Sequence, residues 1–491
     1  MMMLLNQLFP KNQSFLDIKG LKIDSRKVVN GDLFFAFKGS QQDGRDYIEQ
    51  ALQQGAFAIV YDPEDYQLAD TIVSQHPCAE FIAVEHLQHQ LSSIAGHFYQ
   101  EPANSLRLIG VTGTNGKTTV TQLIAQALDL LSEHCGIIGT LGTGFWSDLQ
   151  QAKQTTPDAI TTQESLADLL AKGARAVALE VSSHGLDQGR VEALPFKVAV
   201  FTNLTRDHLD YHHTLENYGA AKAQLFAWDS LDRKIINQDD PFGQQLIQLN
   251  QGQDLLTFSL EDETADLYCE NIEFSEYGIK ASLVSPQGKG LLQSKLVGRF
   301  NLSNLLAVVG SLLGLGYDLS TVLMTIPKLS APAGRMQREG GDGKPTVVID
   351  YAHTPDALEQ VLTALRPHVK NKLWCVFGCG GSRDKGKRVA MAEIAERLAD
   401  NIVITDDNPR EESSASIIED ILQGFNIPQA VDVMADRKQA IWQTVERAAA
   451  NDVILVAGKG HEDYQEVMGK RTHFSDFEEV SKALQAWENN K

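Results

Sequence analysis

The chain has 491 residues, 43% of them hydrophobic and 22% charged, a mix that builds real cores and excludes disorder along most of its length. Lysine plus arginine number 43 against 64 for aspartate plus glutamate, a formal charge of −21, so a broad basic surface for a nucleic-acid backbone is excluded. No apolar run approaches the roughly 18–20 residues of a membrane span, the start lacks the basic flank and apolar core of a secretory signal, and the sparse cysteines Cys78, Cys135, Cys269, Cys375 and Cys379 suit a reducing cytosol rather than a disulfide framework. The expectation is a cytoplasmic monomer with no nucleic-acid partner and no membrane insertion, divided into about three domains at roughly 150 residues each.

Short apolar runs, each ending in a polar or glycine-rich turn and followed by a helical pattern, recur along the chain. In order they are 106–112, 176–181, 198–202, 346–349, 373–377, 401–405 and 453–457. Strands alternating with helices predict an α/β fold with parallel sheets, whose ligands gather at the carboxyl ends of the strands. Two turn-rich stretches, Gln100-Glu101-Pro102-Ala103-Asn104-Ser105 and Ser330-Ala331-Pro332-Ala333-Gly334-Arg335, divide the chain into 1–100, 101–332 and 333–491.

Read by themselves, most of the chemically interesting residues have a plain reading beside a functional one. Asp24-Ser25-Arg26 is a turn. Gly113-Thr114-Asn115-Gly116-Lys117-Thr118-Thr119 lies between a strand and an apolar-periodic helix. Its glycines let backbone N–H groups crowd around phosphate oxygens, Lys117 adds a charge, and the Thr118 hydroxyl can hold Mg²⁺ beside a helix N-terminus. The strict G-x-x-x-x-G-K-[ST] pattern fails, because Val111 stands in the place of its first glycine. Glu180 ends an apolar strand and is placed for Mg²⁺; the plain reading is an N-cap or a surface acid. His208 and His212 have the spacing of a helical zinc pair but lack the glutamate of H-E-x-x-H. Lys222, in an amphipathic helix over 218–226, reads as a solvated or snorkelling lysine. Asn301 and Asn304 offer donors and acceptors to a purine edge, although composition alone favours helix caps. Arg335 and Asp350 read as a turn arginine and a strand-end aspartate. Gly378-Cys379-Gly380-Gly381-Ser382-Arg383 fails the dinucleotide pattern at Arg383. The basic run from Arg383 to Arg388 suits an anionic ligand or a solvated helix start, and Cys375 and Cys379 read as buried thiols. In Asp407-Asn408-Pro409-Arg410, a turn explains Pro409 but not Arg410.

Taken together, these segments resemble the Mur ligases. Gly110-Val111-Thr112 and the loop that follows are similar to the ATP-binding loop those enzymes share with folylpolyglutamate synthetases. Glu180-Val181-Ser182-Ser183-His184-Gly185-Leu186, the stretch Asn203 to His212, Gly298-Arg299-Phe300-Asn301 with Asn304, Gly334-Arg335, Asp350-Tyr351-Ala352-His353 and the run Gly378 to Arg388 resemble further motifs of the family in order. Asp24-Ser25-Arg26, Gly31-Asp32-Leu33-Phe34 and Gly39 to Gly44 resemble a UDP-sugar module that folylpolyglutamate synthetases lack.

The resemblance implies a central P-loop ATPase-like parallel-sheet domain, flanked by a small N-terminal α/β domain and a C-terminal Rossmann-like domain. It implies an enzyme of cell-wall peptidoglycan synthesis that uses ATP and Mg²⁺ to activate a carboxylate as an acyl phosphate. Lys117, Glu180, His208, Lys222 and Arg335 become the catalytic set. Gly113, Thr114, Asn115, Gly116, Lys117, Thr118, Thr119, Asn301 and Asn304 would hold ATP, with Arg335 at its γ-phosphate and Asp350 at its ribose. Thr118, Glu180, His208 and a carbamylated Lys222 would hold Mg²⁺. Ser25, Ser40, Gln41, Gln42, Thr155, Thr156, Ser182, Gln188 and Arg190 would meet UDP-N-acetylmuramoyl-L-alanyl-D-glutamate. Arg335 and Asp350 would come from a different domain than the phosphate loop, so domain closure would assemble the site.

Asp407-Asn408-Pro409-Arg410 resembles the D-N-P-R motif of members that add meso-diaminopimelate, with Arg383, Gly458 and Glu462 completing the pocket. Diaminopimelate is lysine with a second amino-acid head, hence one more carboxylate. A buried carboxylate needs a partner, and a bidentate arginine supplies it. Lysine would leave Arg410 unpaired, and such a site rejects the smaller analogue strongly. A lysine-adding ligase of the family and a catalytically silent nucleotide-binding relative are the alternatives.

Overall fold

A computed structural model describes residues 2–40, 42–252 and 254–489. The chain forms two compact units, Met1–Leu256 and Thr257–Lys491. No helix among the described residues is long and apolar enough to cross a membrane.

The first unit begins with a small parallel sheet of Gly20–Lys22, Asp32–Ala36, Ala58–Tyr61 and Glu80–Ala83. Its strand Asp32–Ala36 is buried on both faces. Leu33 and Phe35 pack on one side with Leu87, Leu91 and Phe98, whereas Phe34 and Ala36 pack on the other with Ile48 and Ile59, as the two-residue period of a strand requires. The larger sheet has a parallel core in the order Cys135–Gly139, Ala176–Glu180, Arg107–Thr112, Phe196–Phe201, Arg233–Asn237. A hairpin of Gly142–Phe145 and Asp148–Gln150 extends one edge. The runs expected at 106–112, 176–181 and 198–202 are its three central strands. Glu180 is in register with Val111, and Phe201 with Thr112, so three strands deliver their carboxyl ends to one edge.

The boundary between the units falls inside the strand Leu255–Phe258. The second unit has an antiparallel sheet of Tyr268–Ser275, Gly278–Ser285 and Gly288–Ser294, followed by the helix Arg299–Gly314. Its larger sheet runs Gln337–Gly340, Thr346–Asp350, Val453–Ala457, Leu373–Phe377, Asn401–Ile404, Asp432–Val433. All neighbours are parallel except the first pair, and the remaining four expected runs are its central strands. The last of them in sequence, Val453–Ala457, inserts between the first two. The loops after these four strands therefore leave one edge together. Arg437 and Asp476, both fully buried, pair at 2.7 Å. The same guanidinium donates to Ala457 O at 2.9 Å and Asp406 O at 3.2 Å, tying two of those loops to the layer behind them.

His368 fixes the start of the helix Arg299–Gly314. Its Nδ1 lies 2.7 Å from Ser275 O, and its Nε2 accepts the Gly298 N–H at 2.9 Å. Both bonds together require a neutral ring with its proton on Nδ1. Burial holds its pKa below the ordinary 6.5. The native state then binds fewer protons than the unfolded chain, so this contribution to stability is present above about pH 6.5 and is lost as pH falls through the lower, folded value. His368→Gln is expected to flatten that acid-side loss. Denaturant unfolding across about pH 5–7 checks it, and an unchanged slope in the variant counts against it.

Candidate active site

The phosphate loop connects the strand Arg107–Thr112 to the helix Lys117–Leu130. Gly113 has φ +146°, and a Cβ there would collide with Thr202 Oγ1; only glycine lets the loop pass. Asn203 holds the loop from the neighbouring strand end: its O accepts Thr114 N at 2.8 Å and its Oδ1 accepts Asn115 N at 2.9 Å. Gly116 is the N-cap of the helix, with no side-chain cap, and Thr119 is half-buried in the first turn. Lys117 Nζ donates to Gly113 O at 2.8 Å and Thr114 O at 2.9 Å.

Glu180 is neither an N-cap nor a surface acid. It is buried, and its oxygens accept from Thr118 Oγ1 at 2.9 Å, Thr140 N at 2.8 Å and Thr140 Oγ1 at 3.0 Å. Burial pushes its carboxyl pKa up, against the pull of Lys117. A buried carboxylate whose hydrogen-bond donors among the described residues are neutral, one of them a threonine hydroxyl at a phosphate loop, is an oxygen set that fits a hard divalent cation.

Lys222 corrects the expectation of a solvated side chain. The helix Leu215–Ala223 turns it inward, where it is 1% exposed. Its Nζ donates to Gly113 O at 2.9 Å and lies 4.3 Å from the centre of the Tyr218 ring. Burial, and then the nearby Lys117 charge, hold its pKa well below 10.5. A lowered pKa enlarges the share of the free amine, the nucleophilic form. His208 and His212 do not act as a helical pair. His208 precedes the short helix Leu209–His212 in a left-handed conformation, φ +52°, with an exposed ring. His212 is buried, with Nε2 2.9 Å from Ser183 Oγ.

Two clefts in the same unit gather five of the residues expected to meet the UDP-linked substrate, Ser25, Ser40, Gln42, Gln188 and Arg190. One, of about 430 Å³, is lined by Ser25, Gln42 and Tyr47. Asp24 does make the expected turn, accepting Arg26 N, while Ser25 Oγ donates to Gln50 Oε1 at 2.8 Å. The other, of about 500 Å³, brings Ser40 together with Gln188 and Arg190. Gln41 lies outside the described residues. The Thr156 hydroxyl is taken up by Glu180 O at 2.7 Å and Ser182 N at 2.9 Å, and Thr155 Oγ1 meets Thr140 Oγ1 at 3.0 Å. Ser182 caps the helix Ser183–Asp187 through Gly185 N. Arg190 has no ion pair among the described residues and is held by neutral oxygens, which leaves its charge for an anion.

In the second unit, Asn301 and Asn304 are buried in the helix but neither caps it. Asn301 Nδ2 donates back to Val297 O at 2.8 Å, and Asn304 Nδ2 donates to Asn301 Oδ1 at 3.1 Å. Arg335 lies 5.0 Å over the Tyr351 ring, and its buried Nε has no hydrogen-bond partner among the described residues. Asp350 is buried, its two oxygens accepting Met336 N and Ala352 N at 2.8 Å each; burial raises its pKa.

The basic run divides. Arg383 is exposed. Arg388, by contrast, is fully buried and paired with Glu412 at 3.1 Å and Asp420 at 2.7 Å, so it is part of the architecture rather than a ligand or a solvated helix start. Glu412 also accepts Ser382 N at 2.6 Å; it locks the loop of Arg383 to the loop of Arg410. Asp407, Asn408 and Pro409 are buried. Arg410, at φ +52°, has no ion pair among the described residues, and its Nη1 donates to Gly381 O at 3.1 Å. Asn408 Nδ2 donates to Glu462 Oε2 at 2.9 Å, and Gly458 takes φ +119° beside Asp407.

Sequence reasoning missed Lys459. Fully buried, it donates to Asn408 Oδ1 at 2.9 Å and Tyr464 O at 2.7 Å, and stands 3.5 Å from Asp407 and 3.8 Å from Glu462. Lys459 thus already places a cation of the chain beside Glu462. Its signal was a lysine in a strand-end turn of glycines. Thr140, which holds Glu180, left no comparable signal.

Three family descriptions match the chain: "Mur ligase family, catalytic domain" over 17–99, "Mur ligase middle domain" over 111–312 and "Mur ligase, glutamate ligase domain" over 334–460. A Pseudomonas aeruginosa protein named UDP-N-acetylmuramoyl-L-alanyl-D-glutamate–2,6-diaminopimelate ligase is 58% identical over 488 residues, covering 99% of each chain. A solved structure bearing the same enzyme name is 39% identical, with a TM-score of 0.77 over 99% of this chain and 100% of that one. The MurF ligase from Thermotoga maritima in complex with ADP shares the fold, at 19% identity and a TM-score of 0.62 over 96% of this chain and 99% of that one.

Gly139 tests the carboxylate pocket. A Cβ at this position would strike Glu180 Oε1. Gly139→Ala is expected to destabilise the first unit by about 1–3 kcal/mol, read in denaturant unfolding, and to depress ATP turnover, whereas Gly173→Ala, strained by its φ of +94° but with nothing within 4 Å, should cost stability without depressing turnover. Equal behaviour of the two variants counts against the geometry.

Proposed function

The chain belongs to the Mur ligase family, and from that premise we propose how its residues divide the reaction. The protein is an ATP-dependent amide ligase that adds meso-2,6-diaminopimelate to UDP-N-acetylmuramoyl-L-alanyl-D-glutamate in peptidoglycan precursor synthesis. The observation that carries the choice of amino acid is Arg410, a guanidinium with no ion pair among the described residues, beside buried Asn408 and half-buried Glu462. It suits a carboxylate that lysine lacks.

In this reading the D-glutamate γ-carboxylate attacks the γ-phosphorus of ATP, ADP leaves, and an acyl phosphate forms. The neutral amine of diaminopimelate attacks the acyl carbon, and phosphate departs from the tetrahedral intermediate. Lys117 and the N–H groups of residues 113–119 hold the phosphates, and Arg335, with no ion pair among the described residues, meets the charge on the transferring group. Asn301, Asn304 and Asp350 are assigned to the nucleoside. Ser25, Ser40, Gln41, Gln42, Thr155, Thr156, Ser182, Gln188 and Arg190 are assigned to the UDP-linked substrate, and Arg383, Asp407, Asn408, Pro409, Gly458 and Glu462 to diaminopimelate with Arg410.

Thr118, Glu180, His208 and Lys222 would hold Mg²⁺, which neutralises phosphate charge when bound. The Lys222 amine attacks CO₂ and sheds a proton to become a carbamate anion; its burial and depressed pKa support this role. We keep the division into a UDP-sugar domain (1–100), a central ATP domain (101–332) and a C-terminal amino-acid domain (333–491), supported by family matches at 17–99, 111–312 and 334–460. The reading takes the protein to act as a cytoplasmic monomer, in the compartment where thiols stay reduced.

Purified protein given ATP, Mg²⁺ and the UDP-muramoyl dipeptide should release phosphate with meso-diaminopimelate and not with L-lysine. Release with lysine alone would mean the lysine-adding relative, and release with neither the silent one. Arg410→Lys is expected to cut kcat/KM for diaminopimelate by about 10²-fold or more while ATP binding, measured by calorimetry, changes little. For Lys222, a ¹³C carbamate resonance should appear under ¹³CO₂ and vanish in Lys222→Met; an unlabelled wild type refutes the modification.

A further inference from the structure

The polar side chains between the short helix Leu209–His212 and Arg190 form one chain of hydrogen bonds with a fixed direction. Tyr211 Oη lies 2.6 Å from Asp187 Oδ2, and Gln188 Nε2 lies 3.1 Å from the same hydroxyl. Gln188 Oε1 in turn accepts from Arg190 Nε at 3.0 Å and Nη2 at 2.6 Å. A carboxylate can only accept, so Tyr211 must donate to it. The hydroxyl's lone pair is then left for Gln188, which must turn its NH₂ towards Tyr211 and its carbonyl towards Arg190. On the far side, Arg190 Nη1 donates to Thr156 O at 2.6 Å and Gln154 Oε1 at 3.1 Å. The guanidinium plane is therefore gripped on two edges. The Tyr211 ring is itself held, its centroid 4.2 Å from that of His184. Burial and the Asp187 bond raise the phenol's pKa, which keeps it a donor.

We propose that Tyr211 is a positioning residue for the UDP-linked substrate: with Asp187 it sets the direction of the Gln188 amide, and through it the guanidinium plane of Arg190 that faces the anionic part of that substrate. The inference deepens the ligase reading and rests on its assignment of Arg190. Tyr211 lines the cleft shared by Ser40, Gln188 and Arg190, so the hydroxyl and the group it orients sit on one wall. Without the hydroxyl, the Gln188 NH₂ loses its acceptor and the amide is held from the Arg190 side alone, so the guanidinium plane loses the fixed anchor on one of its two edges. Binding of the anion should suffer and the chemistry of the acyl phosphate should not.

Steady-state kinetics with meso-diaminopimelate as acceptor tests this. Tyr211→Phe is expected to raise KM for the UDP-muramoyl dipeptide about tenfold, with kcat and KM for ATP within about twofold, the pattern of lost uniform binding. Calorimetry with the same dipeptide and no ATP should show the matching loss of affinity. In a Gln188→Ala background, Tyr211→Phe should add nothing, because the pair acts as one unit. Asp187→Ala, on an exposed position where folding is not at stake, should shift the same KM in the same direction. An unchanged dipeptide KM in both single variants overturns the proposal, as does an equal rise in KM for ATP or a fully additive double variant. A wild type inactive with meso-diaminopimelate would instead sink the ligase reading, and the calorimetric arm would still decide the positioning role.

Discussion

Two lysines converge on one carbonyl oxygen. Gly113 O accepts from Lys117 at 2.8 Å and from Lys222 at 2.9 Å, where Lys222 has almost no contact with solvent. Two ammonium charges so close, in a place that water does not screen, repel strongly. Burial first, and then the Lys117 charge, hold the Lys222 pKa well below 10.5. On the other side of the loop, the buried Glu180 carboxylate has hydroxyl and amide partners but no ion pair among the described residues. In the proposed reaction the phosphates of ATP and Mg²⁺ would offset these buried charges.

That burial depends on parallel sheets. In both units, strands buried on both faces run in one direction, and their polar turns are collected at one edge. The turns in turn need anchors. Buried arginines serve in the second unit: Arg437 with the buried Asp476 at the ends at Ala457 and Asp406, and Arg388 with the half-buried Glu412 and Asp420 at the loops of Arg383 and Arg410. Such pairs contribute orientation more than net stability. In the first unit the anchors are neutral: Asn203 for the phosphate loop and Thr140 for Glu180.

The charge of −21 sits beside substrates that are themselves anions. The cations assigned to them are few and local. Arg190, Arg335 and Arg410 have no ion pair among the described residues, whereas Arg388 and Arg437 are consumed by internal acids. An acidic total therefore coexists with basic clefts, and says more about solubility than about recognition.

Much of this was legible before the fold. Apolar runs ending in polar turns gave seven strands to within a residue or two, because a strand buried on both faces must be continuously apolar. The glycine loop, Glu180 and the Arg410 motif were visible for a related reason: they interrupt such runs with residues that no core tolerates. The roles that failed to show were those set by packing. By its helix alone Lys222 was a surface lysine, and Asn301 and Asn304 were caps. Arg388 was one more cation in a basic run, and Lys459 one more residue in a turn. Nothing local distinguishes a lysine turned into a loop from one turned into water, since helical period fixes a face but not what covers it. The sequence by itself determined which elements form and which residues sit at their ends. Only the tertiary structure decided which of those charges keep a partner, because pairing depends on distances between segments up to about a hundred residues apart, as with Lys222 and Gly113, and desolvation acts on the assembled neighbourhood rather than on the residue.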